Sequence, residues 1–253
     1  MPLLDLLSPL PAWLNLGLVA LSILTSMLSA SAGIGGGTLL IIAMAQVMPA
    51  AALIPVHGMV QLGSNAGRAS LTWRHIDRRV IVSFLPGVVL GALLAAWLLV
   101  RLPAGVLELA IAGFVLFSCW GPSPPARVLG RTGTLLAGAV TTLLSSLIGA
   151  SGPLVGAFIK HAQPERMARV ATFSACMSLQ HLTKAFVFGV AGFVFHDWLW
   201  LMAAMIGAGL AGTWLGLRLL KRLSEAHFDG IFKGVLTLLS LRLAWLGLER
   251  LLS

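Results

Sequence analysis

Charge is the scarcest feature of this chain. Only 10% of its 253 residues are Asp, Glu, Lys or Arg, against about 25% in soluble domains. Hydrophobic residues make up 58%, and the mean hydropathy is +0.96. A soluble fold of this length cannot hide so much apolar surface, whereas lipid as solvent makes the composition reasonable. Cysteine is almost missing. Cys119 and Cys176 stand alone in apolar runs, which excludes a disulfide framework and zinc-ligand spacing. The 8 acidic residues form no cluster of the kind that holds a metal, and no Ser-His-Asp arrangement is visible. The absence of GxGxxG spacing within a βαβ unit speaks against a nucleotide-driven pump. The N-terminus lacks a basic stretch and a cleavage site, so no removable signal peptide is expected. These absences describe a protein that needs no cofactor and is not an enzyme.

Glycine and proline, by contrast, are plentiful. The 28 Gly and 12 Pro sit inside apolar runs, as is common in membrane helices. Ten apolar segments can be read, at roughly 12–32, 34–48, 50–72, 80–100, 104–121, 131–149, 151–162, 167–191, 197–217 and 227–248. A spanning helix needs about 20 residues. Segments 34–48 and 151–162 fall short, and each follows a Gly-rich break. The fold class is therefore an all-α polytopic membrane bundle of 8–10 membrane segments: eight crossings with two half-helices, or ten crossings.

The net charge of +9 suggests nucleic acid until the positions are read. The bases form no single patch. They fall in short clusters between apolar segments, where orientation signals belong. If the loop holding Arg74, Arg78 and Arg79 is cytoplasmic, ten alternating crossings put Arg127, Arg131, Lys160, Arg166, Arg169, Arg218, Lys221 and Arg222 inside as well. Only Arg101 and Arg250 fall outside, and both termini come out periplasmic. Localisation in the inner membrane follows, with the lipid bilayer as partner and no nucleic acid.

The two halves align on each other. At an offset of 116, Leu28-Ser29 meets Leu144-Ser145, Gly33 meets Gly149, Gly36 meets Gly152 and Arg68 meets Lys184. After a longer loop the offset becomes 121, where Arg101 meets Arg222 and Glu108 meets Asp229. Each half holds five segments, and an odd number turns the second half upside down relative to the first. Residues 1–121 and 122–253 are thus expected to be two inverted transmembrane repeats forming one membrane domain, a recurring transporter design.

The first break runs Ser29-Ala30-Ser31-Ala32-Gly33-Ile34-Gly35-Gly36-Gly37-Thr38. Helix propensity is poor across its glycines, and a helix restarting at Thr38 offers bare N–H groups and a positive dipole end that suit an anion. The second, Ser145 to Pro153, has the same character, with Gly149, Ser151 and Gly152 at its centre and Pro153 suited to a first helical turn. Helix packing through small residues is the alternative for either run. Their occurrence at matching positions favours a site.

The run SAGIGGGTLL, its weaker echo IGASGPLVG and the length of the half-repeat resemble the TauE/SafE family of sulfite-exporter-like permeases. The chain is shorter than the fuller family pattern and has no tyrosine. The resemblance implies a secondary transporter that moves a small anion, sulfite or an organosulfonate among them.

Polar residues inside the apolar segments complete the reading. His57, Gln61, Ser64, Asn65 and Arg68 share one helical face, and Ser174, Ser178, His181 and Lys184 share another, with Gln180 close by. In lipid such faces turn inward. Amides and hydroxyls can bond sulfonate oxygens while Arg68 or Lys184 offsets their charge. Snorkelling of the two cations and packing of the two histidines are the alternatives. The candidate substrate-binding set is Ser31, Gly33, Gly35, Gly36, Gly37, Thr38, His57, Gln61, Asn65, Arg68, Gly149, Ser151, Gly152, Pro153, Ser178, His181 and Lys184. Glu108 and Asp229 read as acids that complement helix dipoles. Trp13, Trp73, Trp120, Trp198 and Trp200 read as interfacial anchors. A passive anion channel and an assembly protein without transport activity are the competing functions. A coupling proton or ion and a homodimer are left open.

Overall fold

The computed structural model describes residues 7–32, 35–98, 103–122, 130–219 and 225–252. Among them are ten α-helices and no strand: α1 (Ala12–Ala32), α2 (Gly36–Met44), α3 (Ala50–Leu71), α4 (Arg78–Leu98), α5 (Ala104–Trp120), α6 (Arg131–Ile148), α7 (Gly152–Ala162), α8 (Arg166–Val190), α9 (Leu199–Leu219) and α10 (Glu225–Leu252). All ten expected segments are present, with ends shifted by a few residues. By length and apolarity alone, Ala12–Ser31, Arg78–Leu98, Arg131–Ile148 and His196–Leu219 are able to cross a membrane. Helices α3 and α8 are long enough but miss that standard, because both carry the polar faces that they turn toward each other. Side chains such as Val82, Leu93, Trp97 and Phe186 stand exposed on the outside, which a bilayer explains and water does not. The chain is a multi-pass membrane protein.

Helix α2 shows why a nine-residue helix persists. It is apolar all round, with Leu40, Ile41, Ile42 and Met44 almost fully buried in the main core, and a helix of that kind is stable only inside other helices.

The packing follows the internal repeat. Helix α1 lies along α9 as α6 lies along α4, and α3 touches α9 as α8 touches α4. Adding five to each helix number, or subtracting it, turns the first member of each comparison into the second. The remaining large contacts, α3 with α8 and α5 with α10, join equivalent helices to each other. Their directions are decisive. In α3 and α8, Gly58 lies against Lys184 while Arg68 reaches Ser174, so the helices are antiparallel. In α5 and α10, Glu108 pairs with Arg250 while Trp120 bonds Thr237, again antiparallel. Equivalent helices that run in opposite directions mean that one five-helix half is upside down relative to the other.

Two details differ from expectation. Glu108 does more than face a helix dipole: its nearly buried carboxylate accepts from Arg250 of α10 and ties the ends of two helices together. Asp229 lies outside the described side chains. Trp198 is only 6% exposed and packs in the core, whereas Trp13, Trp73, Trp120 and Trp200 are exposed at helix ends as anchors should be. A single residue, Leu199, separates Trp198 from Trp200, enough to turn one ring inward and leave the other outside.

Candidate functional site

The site forms where the two interrupted helix pairs meet the polar faces of α3 and α8. Helix α1 stops at Ala32 and the chain restarts as α2, with Gly35 at φ +106°. Helix α6 stops at Ile148, and Gly149 at φ +83° turns the chain toward α7. Only glycine adopts such left-handed angles without steric cost, so both turns depend on it. The turns face each other: a β-carbon on Gly152 would lie 3.8 Å from Thr38 Oγ1 of the opposite half.

Side chains from α3 and α8 hold the turns in place. His57 Nε2 donates to the Gly37 carbonyl at 3.0 Å, and Lys184 Nζ donates to the Gly149 carbonyl at 3.2 Å. Ser151 Oγ donates to Gln180 Oε1 at 2.8 Å, and Gln180 Nε2 in turn reaches Thr141 Oγ1 at 2.6 Å. On α3 a chain of bonds runs inward. Arg68 donates to Asn65 Oδ1 at 3.1 Å and to Ser174 Oγ at 3.3 Å, while Asn65 Nδ2 donates to Gln61 Oε1 at 3.0 Å.

These bonds have a common consequence. The amide and carbonyl oxygens nearest the centre are already accepting: those of Gly37, Gly149, Gln61, Asn65 and Gln180. The Gln61 NH2 group, the hydroxyl of Thr38 and the His181 ring remain. Among the described residues both ring nitrogens of His181 lack a hydrogen-bond partner, although the ring is 1% exposed. It meets the His57 ring edge-on, with centroids 6.0 Å apart. Arg68 and Lys184, 1% and 0% exposed, pair with no carboxylate among the described residues. Burying a cation without a counter-charge is costly.

A small cavity lies at the centre, with about 20 Å³ open to the centre of a water molecule. That is room for a water or two.

Of the residues expected in the site, Gly35, Gly37, Thr38, His57, Gln61, Asn65, Gly149, Ser151, Gly152 and His181 line this cavity. Gly33 lies outside the described residues. Others lie elsewhere, each for a physical reason. Gly36 faces α1, where a β-carbon would come within 1.8 Å of the Thr25 carbonyl oxygen, so it serves close packing. Ser31 bonds its own helix at Leu28, and its carbonyl accepts from Arg166. Ser178 bonds back to the Ser174 carbonyl. Pro153 sits in the first turn of α7, where a proline ring fits. Arg68 and Lys184 stand behind the cavity, bonded to groups that form it. Their complete burial rules out snorkelling.

Four lining residues escaped the sequence reading: Ser29, Ala150, Phe173 and Met177. The first two belong to the breaks. Phe173 and Met177 are apolar, and a search for polar groups passes over them. The repeat carried the missing signal. Shifted by 116, the α3 lining residues His57, Gln61 and Asn65 fall on positions 173, 177 and 181, which are the α8 lining residues.

Comparison with known proteins gives one match. The family model described as Sulfite exporter TauE/SafE matches residues 18–243. No curated protein and no solved structure matches the chain.

Proposed function

The chain belongs to the sulfite exporter TauE/SafE family, and from that premise we propose that it is a secondary transporter carrying a small anion across the inner membrane by alternating access. The observation that carries the proposal is the chemistry of the central cavity. Its oxygens are largely consumed by internal bonds, its remaining groups are mostly donors, and two uncompensated cations stand directly behind it. Such an interior repels cations and attracts oxyanions. On this reading Gln61, Thr38 and His181 bond the anion, Ser151 lines the cavity beside them, and Arg68 and Lys184 offset its charge through the groups they hold. Gly152 leaves the space that the anion enters.

The two five-helix halves, 1–121 and 122–253, act as the moving parts. A cavity between inverted halves has to open to one side and then the other for an anion to pass, and the inverted relation makes the two openings structurally alike. Sulfite or an organosulfonate is the proposed cargo. Phe173 and Met177 supply an apolar wall, which suits the carbon portion of an organosulfonate better than it suits bare sulfite.

Uptake and efflux in proteoliposomes test the proposal, with sulfite, sulfate, taurine and sulfoacetate compared with and without a pH gradient. Saturable flux of a sulfur oxyanion is the expected result. Flux that never saturates would make the protein a channel, and absence of flux for all four would leave the cavity without its assigned role.

A further inference from the structure

A second concave surface lies away from the central cavity, at the membrane-facing ends of α4 and α6. It is a groove of about 970 Å³, lined by Arg78, Arg79 and Arg131 together with apolar residues that include Val82, Pro86 and Leu135. Both helices begin here with their arginines, and both are long and apolar enough to span a membrane. They run parallel, since Gly87 abuts Leu135 and Gly91 abuts Ala139 four residues further along each helix. Their positive ends therefore lie side by side at one bilayer surface. The three arginines are exposed, and among the described residues no carboxylate lines the groove. Asp77, next in the chain, caps the start of α4: its Oδ1 accepts from the Arg79 and Val80 amides, and its Oδ2 accepts from Gln163. Helix α6 starts at Gly130 with no side-chain cap.

The equivalent ends, the starts of α9 and α1, lie at the opposite bilayer surface in an inverted repeat and carry Trp200 and Trp13 in place of arginine. Below the groove, the face of α4 continues outward as Val82, Leu85 and Val89, all exposed. A basic mouth above a lipid-facing apolar strip matches a molecule with an anionic head and acyl chains.

We propose that this groove binds an anionic phospholipid, with its phosphate held by Arg78, Arg79 and Arg131 and its chains lying along α4. Guanidinium forks suit phosphate oxygens in pairs, and basic pockets between membrane helices are known to select anionic headgroups. The site is independent of the central cavity and of the proposed cargo.

The test uses the whole purified chain in neutral detergent, titrated with phosphatidylglycerol, phosphatidylcholine or inorganic phosphate. Retained lipid is read by native mass spectrometry, and stability by the thermal unfolding midpoint. Phosphatidylglycerol is expected to be retained about tenfold more than phosphatidylcholine and to raise the midpoint by a few degrees. Replacing all three residues (R78Q, R79Q and R131Q) removes that preference, and the matching lysine replacements keep most of it. Equal retention of the two lipids by the wild-type chain overturns the proposal, as does undiminished retention by the glutamine variant. A full midpoint shift with inorganic phosphate alone also overturns it, because the ligand is then a soluble anion. Should the triple variant fail to fold, Arg131→Gln alone, in the exposed first turn of α6, is expected to weaken the preference, and an unchanged preference there counts against the site.

Discussion

The two halves of this protein place the same positions around the central cavity and fill them differently. On α3 these are His57, Gln61 and Asn65; on α8, 116 residues later, they are Phe173, Met177 and His181. One wall is a row of hydrogen-bonding groups, and the other is mostly apolar. The cations behind them, Arg68 and Lys184, also correspond, yet Arg68 holds side chains of α3 and α8 whereas Lys184 holds the turn at Gly149. The repeat thus preserves where a side chain points and leaves free what it does there. A symmetric scaffold can carry a one-sided site, with polarity on one helix and shape on the other.

The breaks offer the sharpest way to probe this division. Gly36 and Gly152 are equivalent in sequence, but Gly36 presses on the α1 backbone while Gly152 opens to the cavity. Gly152→Leu is expected to abolish flux, by more than about a hundredfold, with normal amounts of protein in the membrane. Gly36→Leu is expected to remove the protein itself, because the Thr25 carbonyl cannot move aside. Flux and membrane level measured together separate the two outcomes, and equal behaviour of the variants would undo the distinction.

The two walls should respond next. Gln61→Leu deletes a donor to a charged group, worth about 1.5–3 kcal/mol, so transport should fall about tenfold to a hundredfold. Met177→Leu at the equivalent position keeps volume and apolarity, and flux should stay within about threefold. The reverse order would mean that the apolar wall, and not the donor wall, dominates recognition.

A smaller effect is expected behind the polar wall. Ser174→Ala removes one acceptor from buried Arg68 and should cost about 1 kcal/mol of stability, seen as a lowered thermal midpoint in detergent. The smallest difference concerns how the two polar helices begin. Helix α3 starts after Pro49 without a side-chain cap, whereas Glu165 caps α8 by accepting from the Met167 and Ala168 amides. Those two bonds hold the Glu165 carboxyl below its ordinary value of 4.5. A depressed carboxylate stabilises the fold above its unfolded value, and that contribution fades as the pH falls through the folded one. Glu165→Ala should lower stability by about 0.5 kcal/mol at neutral pH and by less in acid, as thermal midpoints across pH would register.

Much of this architecture could be read from the chain. The apolar segments, the two glycine breaks and the polar faces at three- and four-residue spacing are local patterns, and each became the expected element. His57, Gln61, Asn65 and His181 were recognised because a polar residue in lipid has to turn inward. Phe173 and Met177 were passed over because an apolar residue in an apolar helix carries no such mark. Gly36 and Gly152 looked alike because glycine has no side chain to show which neighbour it accommodates. Arg68 and Lys184 were ambiguous for a related reason: a long cation near a helix end has two directions open to it, and packing selects one.

Composition and periodicity were enough to specify a lipid-embedded bundle of ten helices with two interruptions, since both depend on the chemistry of neighbouring residues and on the solvent that surrounds them. Which break faces which helix, which carbonyl Lys184 reaches, and which side of Trp198 meets the core depended on contacts between residues 35 to 194 positions apart in the chain. Such contacts leave no local pattern, because a hydrogen bond or a close approach is set by the path of the backbone through space and not by the order of residues along it.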